Sequence, residues 1–234
     1  SDDVDCLLMG YDTELTYRKL EDACALLRRG VAYLATNPDW VCPTAEGYVP
    51  DCGAVSQMLE HATRRTPYFI GKPRPDIALL AMEKALSMGA RVALDPAPFT
   101  KDLKNLPLEK LSYIFFNRFE AAQFTGESPM DVEALISAIR RAFPNANALL
   151  TMGTKGAMLI TKDDTIYQPI YEVPVRDRTA AGDAFIGFYL GTTINGASPK
   201  DALMMAAKAA SLCVSRAGAA SSIPMIEECY AAFK

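Results

Sequence analysis

The sequence has a single histidine, His61, among its 234 residues. With one histidine, neither a His-based metal cluster nor a His-dependent catalytic triad is expected. Set in a helical stretch rich in polar residues, His61 reads as a surface residue. Runs of Lys or Arg are missing and the net charge is −4, so no nucleic acid is expected as a partner. No apolar stretch is long enough to span a bilayer, because Lys208 interrupts the best candidate, and no membrane partner is expected. The six cysteines, Cys6, Cys24, Cys42, Cys52, Cys213 and Cys229, lack paired short spacings. Without a signal peptide pattern they read as reduced thiols of a cytoplasmic protein. Internal repeats and low-complexity linkers are also lacking. With hydrophobic residues at 50% of the composition, the chain can bury a substantial core, as one α/β domain or two tightly joined halves.

Short apolar runs predict strands at 5–9, 31–36, 68–70, 91–95, 113–117, 148–151, 157–161 and 170–175. Helical periodicity predicts helices at 16–29, 54–62, 76–88, 118–125, 132–143, 181–195, 200–215 and 225–233. In the helix at 76–88, Ile77, Leu80, Ala81, Ala85 and Met88 form the expected apolar face. This alternation implies a three-layer, Rossmann-like α/β fold, with a mostly parallel sheet and helices on both faces. Lys162-Asp163-Asp164 reads as a hairpin turn that makes a local antiparallel edge. The stretch 37–53, broken by Pro38, Pro43, Gly47 and Pro50, reads as a mobile loop. Ligands of such sheets bind beyond the carboxyl ends of the strands.

The most informative segment is Arg178-Thr179-Ala180-Ala181-Gly182-Asp183-Ala184-Phe185. A strand-like stretch, Ile170 to Val175, runs through small residues into a long apolar helix with one carboxylate in its first turn. Unpaired amides and the helix dipole make such a turn a ready anion site. A carboxylate beside it suits phosphoryl transfer, in which amides stabilise the moving phosphate and the carboxylate activates a hydroxyl. An ordinary helix cap is the alternative reading, since Asp is favoured there anyway.

The surrounding motifs resemble the ribokinase (PfkB-type) sugar and nucleoside kinases. They are Leu94-Asp95-Pro96-Ala97-Pro98, Asn117-Arg118-Phe119-Glu120, Thr151-Met152-Gly153-Thr154-Lys155-Gly156-Ala157, Thr179 to Asp183, and Arg216 to Pro224. The resemblance covers residues 87–234, the nucleotide-binding segment of such a kinase. It implies Asp183 as the catalytic base and the amides of Ala180, Ala181, Gly182 and Asp183 as the anion hole. Asn117 and Glu120 would organise Mg through its waters, and Thr151, Gly153 and Gly156 would approach the phosphates of ATP. Gly218, Ser222 and the helix at 200–215 would wall the adenine. Asp177 matches a monovalent-cation position, although Arg178 brings a guanidinium beside it.

Residues 1–86 carry a different text. Gly10-Tyr11-Asp12-Thr13-Glu14, Thr36-Asn37-Pro38-Asp39, Pro43-Thr44-Ala45-Glu46-Gly47 and Ile70-Gly71-Lys72-Pro73 resemble the cap domain of NagD-like phosphatases of the haloacid dehalogenase (HAD) superfamily. That family's nucleophile motif is missing, since Asp3-Val4-Asp5 and Asp12-Thr13-Glu14 do not complete it, so HAD-type hydrolysis is not expected. The Gly-Gly motif of the kinases' acceptor side is missing as well, together with their lid. The expectation is a hybrid of a HAD cap-like segment and a ribokinase-like segment that keeps nucleotide binding with little or no turnover. The alternative is an ATP-dependent phosphotransferase acting on a small hydroxyl acceptor, for which Asp39, Glu46 and Arg74 are candidate contacts. Lys72 would add a cation near the phosphates, and an edge left by the lost lid would favour a homodimer.

Overall fold

The computed structural model describes residues 4–44, 47–71, 74–97 and 99–233. Lys72, Glu46 and Asp3, named above as candidates or motif members, lie outside the described residues. The chain divides into two units, Ser1–Gly89 with Asp102–Leu106, and Ala90–Lys101 with Pro107–Lys234.

In the first unit, β1 (Cys6–Met9), β2 (Ala32–Ala35) and β5 (Tyr68–Phe69) form a parallel three-stranded sheet in the order β1-β2-β5. The helices α1 (Tyr17–Arg28) and α2 (Cys52–Thr63) bury Ala23, Leu27 and Leu59 with Tyr33 of β2. Thr16 and Asp51 cap these helices by accepting the amides of Lys19 and Cys52. The stretch expected to be a mobile loop instead folds into an antiparallel hairpin of β3 (Val41–Thr44) and β4 (Gly47–Pro50). Its prolines sit in a two-stranded ribbon, where a missing donor costs little. In α3 (Asp76–Ser87) the buried residue is Met82, whereas Ile77, Leu80 and Met88 of the expected core face are 50%, 67% and 73% exposed. The helix is apolar on nearly every side, so spacing alone could not choose its inner face.

The second unit is built on a five-stranded sheet, ordered β10 (Thr165–Gln168), β9 (Ala157–Ile160), β8 (Asn147–Thr151), β7 (Tyr113–Asn117) and β6 (Ala93–Leu94). Strands β6, β7 and β8 are parallel, and β9 and β10 add an antiparallel edge through the expected turn at Thr161–Asp164. Arg140 of α5 (Val132–Ala142) clamps that turn, with its Nε 3.0 Å from the Thr161 carbonyl and its Nη2 2.9 Å from Thr165 Oγ1. Side-chain alternation sends Tyr113, Phe115, Leu149, Ala157 and Leu159 to one face. There they pack on Phe185 and Tyr189 of α6 (Ala181–Ile194) and on Ala202, Leu203 and Ala206 of α7 (Pro199–Val214). On the other face Phe116 meets Phe124 of α4 (Arg118–Thr125) and Phe143 beyond α5, with ring centroids 5.7 Å apart in both pairs. A short α8 (Ile226–Ala231) buries Cys229 against Met205 and Ala209 of α7. Helices on both faces of a mostly parallel sheet are the fold class the alternation predicts.

One expected strand does not form. Residues 170–175 are not part of a sheet. Pro169 and Pro174 cannot donate to a ladder, and the edge position is taken by β10. The segment ties to α7 instead: the Tyr171 amide donates to Ser211 Oγ, and the amides of Arg176 and Asp177 donate to the Val214 carbonyl at 2.8 and 3.2 Å. Among the described residues no two cysteines are joined by a disulfide, and His61 is exposed, as expected. Nor is any described helix long and apolar enough to cross a membrane.

Candidate functional site

Two groups of candidate residues assemble in the second unit. The first lies at the carboxyl ends of the parallel strands. Asn117 ends β7 and Thr151 ends β8, paired in register, and Thr151 Oγ1 donates to the Phe116 carbonyl. Asn117 and Glu120 make a reciprocal capping box on α4. The Asn117 side chain accepts the amides of Phe119 and Glu120 at 2.9 and 3.0 Å, and Glu120 accepts the Asn117 amide at 2.9 Å. Local structure therefore explains this Asn-x-x-Glu pair on its own. Its electrostatics add something a cap does not need. Burial pushes the Glu120 carboxyl up, the Asn117 hydrogen bonds oppose that, and the charge of nearby Asp95 pushes it up further. A cation beside these two carboxylates would relieve that repulsion. Among the described residues no three His, Cys, Asp or Glu side chains cluster to hold a metal by themselves. A cation here would take its remaining ligands from water and from a phosphate, which is the habit of Mg.

Gly153 and Gly156 follow β8 and serve different ends. A Cβ on Gly153 would meet no heavy atom within 4 Å, so its backbone is open to a ligand. Gly156, at φ +85°, is closed: a Cβ there would run into the Gln168 carbonyl and come within 3.1 Å of Pro169 Cα. This glycine is required by the packing of β10.

The second group surrounds the start of α6. Ala180 is in the left-handed region, at φ 61° and ψ 7°, a conformation uncommon for any residue but glycine. It turns the chain sharply into α6, where no side chain caps the helix. The Ala184 amide closes the first helical bond to the Ala180 carbonyl at 2.9 Å. Among the described residues the amides of Gly182 and Asp183 have no backbone acceptor, both residues are exposed, and a Cβ on Gly182 would meet no atom. Strain with unpaired amides at an open helix terminus is what an anion site is made of. Asp183 stands in the first turn, exposed.

Asp177 holds this turn. Its Oδ1 accepts the Thr179 amide at 2.9 Å and the Thr179 hydroxyl at 2.7 Å, and its Oδ2 accepts the Gly218 amide at 3.1 Å. These bonds, the Thr179 amide first, keep its carboxyl below the ordinary range. The groups around it are hydrogen-bond donors that fix a carboxylate, a poor fit to a monovalent cation, and no step is assigned to one. The loop beyond Gly218 ends at Ser222, which is fully buried and donates to the Ala219 carbonyl at 2.7 Å. Arg216 pins the loop from outside, its Nη2 2.6 Å from Glu228 Oε1.

Other candidates take structural parts. In the first unit Arg74 stacks on Tyr68, 4.1 Å from the ring centroid, and donates to its hydroxyl. Asp39 is exposed and its amide donates to Asn37 Oδ1. Sequence reasoning quoted Asp95 without giving it a role, and its approach to Glu120 follows from β6 lying beside β7. It gave Cys213 no role either, and only the tertiary fold brings its sulfur to the Thr179 carbonyl and Ser222 Oγ.

Comparisons with known proteins find kinases of the same fold. A ribokinase from Thermotoga maritima is 29% identical, with a TM-score of 0.59 over 67% of this chain and 52% of its own. The Arabidopsis thaliana ribokinase, solved with ribose and ATP, is 26% identical, with a TM-score of 0.61 over 68% of this chain and 53% of its own. A ribokinase from Cryptococcus neoformans shares the fold at 19% identity, with a TM-score of 0.62 over 97% of this chain. An acid sugar phosphatase from Staphylococcus aureus is 39% identical over 80 residues, 34% of this chain and 31% of that protein. The chain thus spans about a third of the curated relatives it matches and about half of the two ribokinases first named. The pfkB family of carbohydrate kinases matches residues 56–226, most of the chain. This protein belongs to that family.

Proposed function

We propose that the second unit binds ATP with Mg, and that the whole chain is a hybrid with a HAD cap-like first segment and little or no turnover. The observation that carries the reading is the start of α6: strained Ala180 followed by the open amides of Gly182 and Asp183. These amides would receive the transferred phosphate, and Gly153 would let the backbone approach its neighbours. Asn117, Glu120 and Asp95 would hold Mg through water. Mg, when bound, would draw negative charge off the phosphates. The likeness to acid sugar phosphatases over 34% of this chain is compatible with a HAD-like portion.

A second reading is supported by family membership and by the ribose in the Arabidopsis structure. In it the chain is a sugar-kinase-like phosphotransferase. Asp183 would take the proton of an acceptor hydroxyl as its oxygen bonds to the γ-phosphorus, and the bond to the β–γ bridging oxygen breaks to release ADP. Both readings give Asp183 the same work. Where no acceptor is positioned water takes its place, and the loss of positioning makes the rate low. ADP release by the parent protein is expected to be slow and to fall by at least about 100-fold in Asp183→Asn, a usual magnitude for loss of a general base. ATP binding should persist in the variant. Equal ADP release by both proteins would remove Asp183 from the chemistry.

Glu120→Gln separates capping from metal binding. Gln keeps the capping box, since its Oε1 can accept the Asn117 amide. Stability at neutral pH should not fall, because a half-buried charge beside Asp95 is removed. The raised carboxyl pKa fixes the sign with pH. The parent gains stability as pH falls through that raised value toward the unfolded one, so any advantage of the variant disappears in acid. Mg should lose most of its effect on ATP affinity in the variant. An unchanged Mg effect, measured by titration with and without Mg, would leave the pair as a cap alone.

A further inference from the structure

Cys213 of α7 is fully buried, and its sulfur lies 3.6 Å from the Thr179 carbonyl and 3.1 Å from Ser222 Oγ. Ser222 commits its own proton to the Ala219 carbonyl, so the single thiol proton serves the Thr179 carbonyl or Ser222 Oγ, one at a time, while the sulfur stays in contact with both. One sulfur therefore touches the residue before Ala180 and the end of the Gly218–Ser222 loop. Asp177 makes a parallel tie from Thr179 to the Gly218 amide. The amides of Arg176 and Asp177 hang the same turn on Val214, the residue after Cys213. The turn and the loop are thus fixed to each other and to the end of α7.

We propose that Cys213 is a positioning residue of the nucleotide site, holding the anion turn at a set distance from the loop that walls the base. The inference rests on the nucleotide reading above. A ligand that engages both ends at once depends on their spacing. A ligand that engages only the turn does not. Small displacements of a positioned group are known to cost large factors.

The test compares the parent, Cys213→Ala and Cys213→Ser by calorimetric titration with ATP plus Mg and with tripolyphosphate plus Mg. Cys213→Ala should bind ATP at least tenfold more weakly and tripolyphosphate within twofold of the parent. Cys213→Ser, which restores a donor, should recover most of the ATP affinity. Ser222→Ala removes the loop-side partner together with the Ser222–Ala219 bond and should repeat the Ala pattern, which keeps the test open if Cys213→Ala fails to fold. Equal ATP affinity in the parent, Cys213→Ala and Ser222→Ala would overturn the proposal. A matching loss for ATP and tripolyphosphate would overturn it too, because it would reduce Cys213 to a support of the turn. Failure of the parent itself to bind ATP would overturn the nucleotide reading, and is seen before any substitution is made.

Discussion

Gly156→Ala is expected to lower the stability of the unit that carries the five-stranded sheet by about 3 kcal/mol. Two costs add. The residue is at φ +85° and ψ −155°, a region nearly closed to side chains, and the new methyl would collide with the Gln168 carbonyl. Neither can relax cheaply. The Gly156 carbonyl receives the Met152 amide at 2.9 Å, and Gln168 is held in register opposite Ala157. The loss corresponds to a fall of roughly 5–10 °C in Tm, readable by thermal or urea denaturation. Loss of the β10 edge would also loosen the Arg140 clamp on Thr161 and Thr165. Parent-like melting in the variant would mean that the β8–β9 turn yields where the structure shows it closed.

Ala180→Asp is expected to abolish ATP binding while leaving the fold intact. A carboxylate about 5 Å from a bound phosphate, at an effective dielectric of about 20, costs about 3 kcal/mol, or roughly 100-fold in Kd. Further loss follows if the new side chain takes the open amides of Gly182 and Asp183 for itself. The same bonds would cap α6, so stability should stay within about 1 kcal/mol of the parent. Binding and stability therefore separate in this variant, and a melting curve beside the titration shows it. Loss of both together would make the turn a folding element rather than an anion site.

Much of the second unit is legible in the sequence where local chemistry and tertiary packing agree. The strand Tyr113–Asn117 and the helix Arg118–Thr125 appear with the bounds their residues predict. Four residues of the strand, Tyr113 to Phe116, are buried between two helical layers, and Asn117 with Glu120 starts the helix. The stretch 170–175 shows the limit. Its alternation is strand-like, yet Pro169 and Pro174 remove donors and the pairing edge goes to Thr165–Gln168. The helix at 76–87 shows another, since an all-round apolar pattern cannot say that Met82 faces inward and Leu80 outward.

For the site, the sequence could name Ala180 to Asp183, Asn117 and Glu120, because these depend on residues adjacent in the chain. It could not reveal that Asp95 stands close enough to raise Glu120. Nor could it find Cys213, which meets Thr179 from 34 residues away. Contacts of that separation are set by how α6 and α7 pack on the sheet, and no local pattern encodes them.

The central claim is that the open start of α6 is a working phosphate site. Calorimetric titration of the folded parent protein with ATP plus Mg tests it most directly. Saturable binding that tripolyphosphate competes away is the predicted result. A folded protein that takes up no ATP at millimolar concentration would contradict the claim and leave the strained Ala180 turn as scaffold alone.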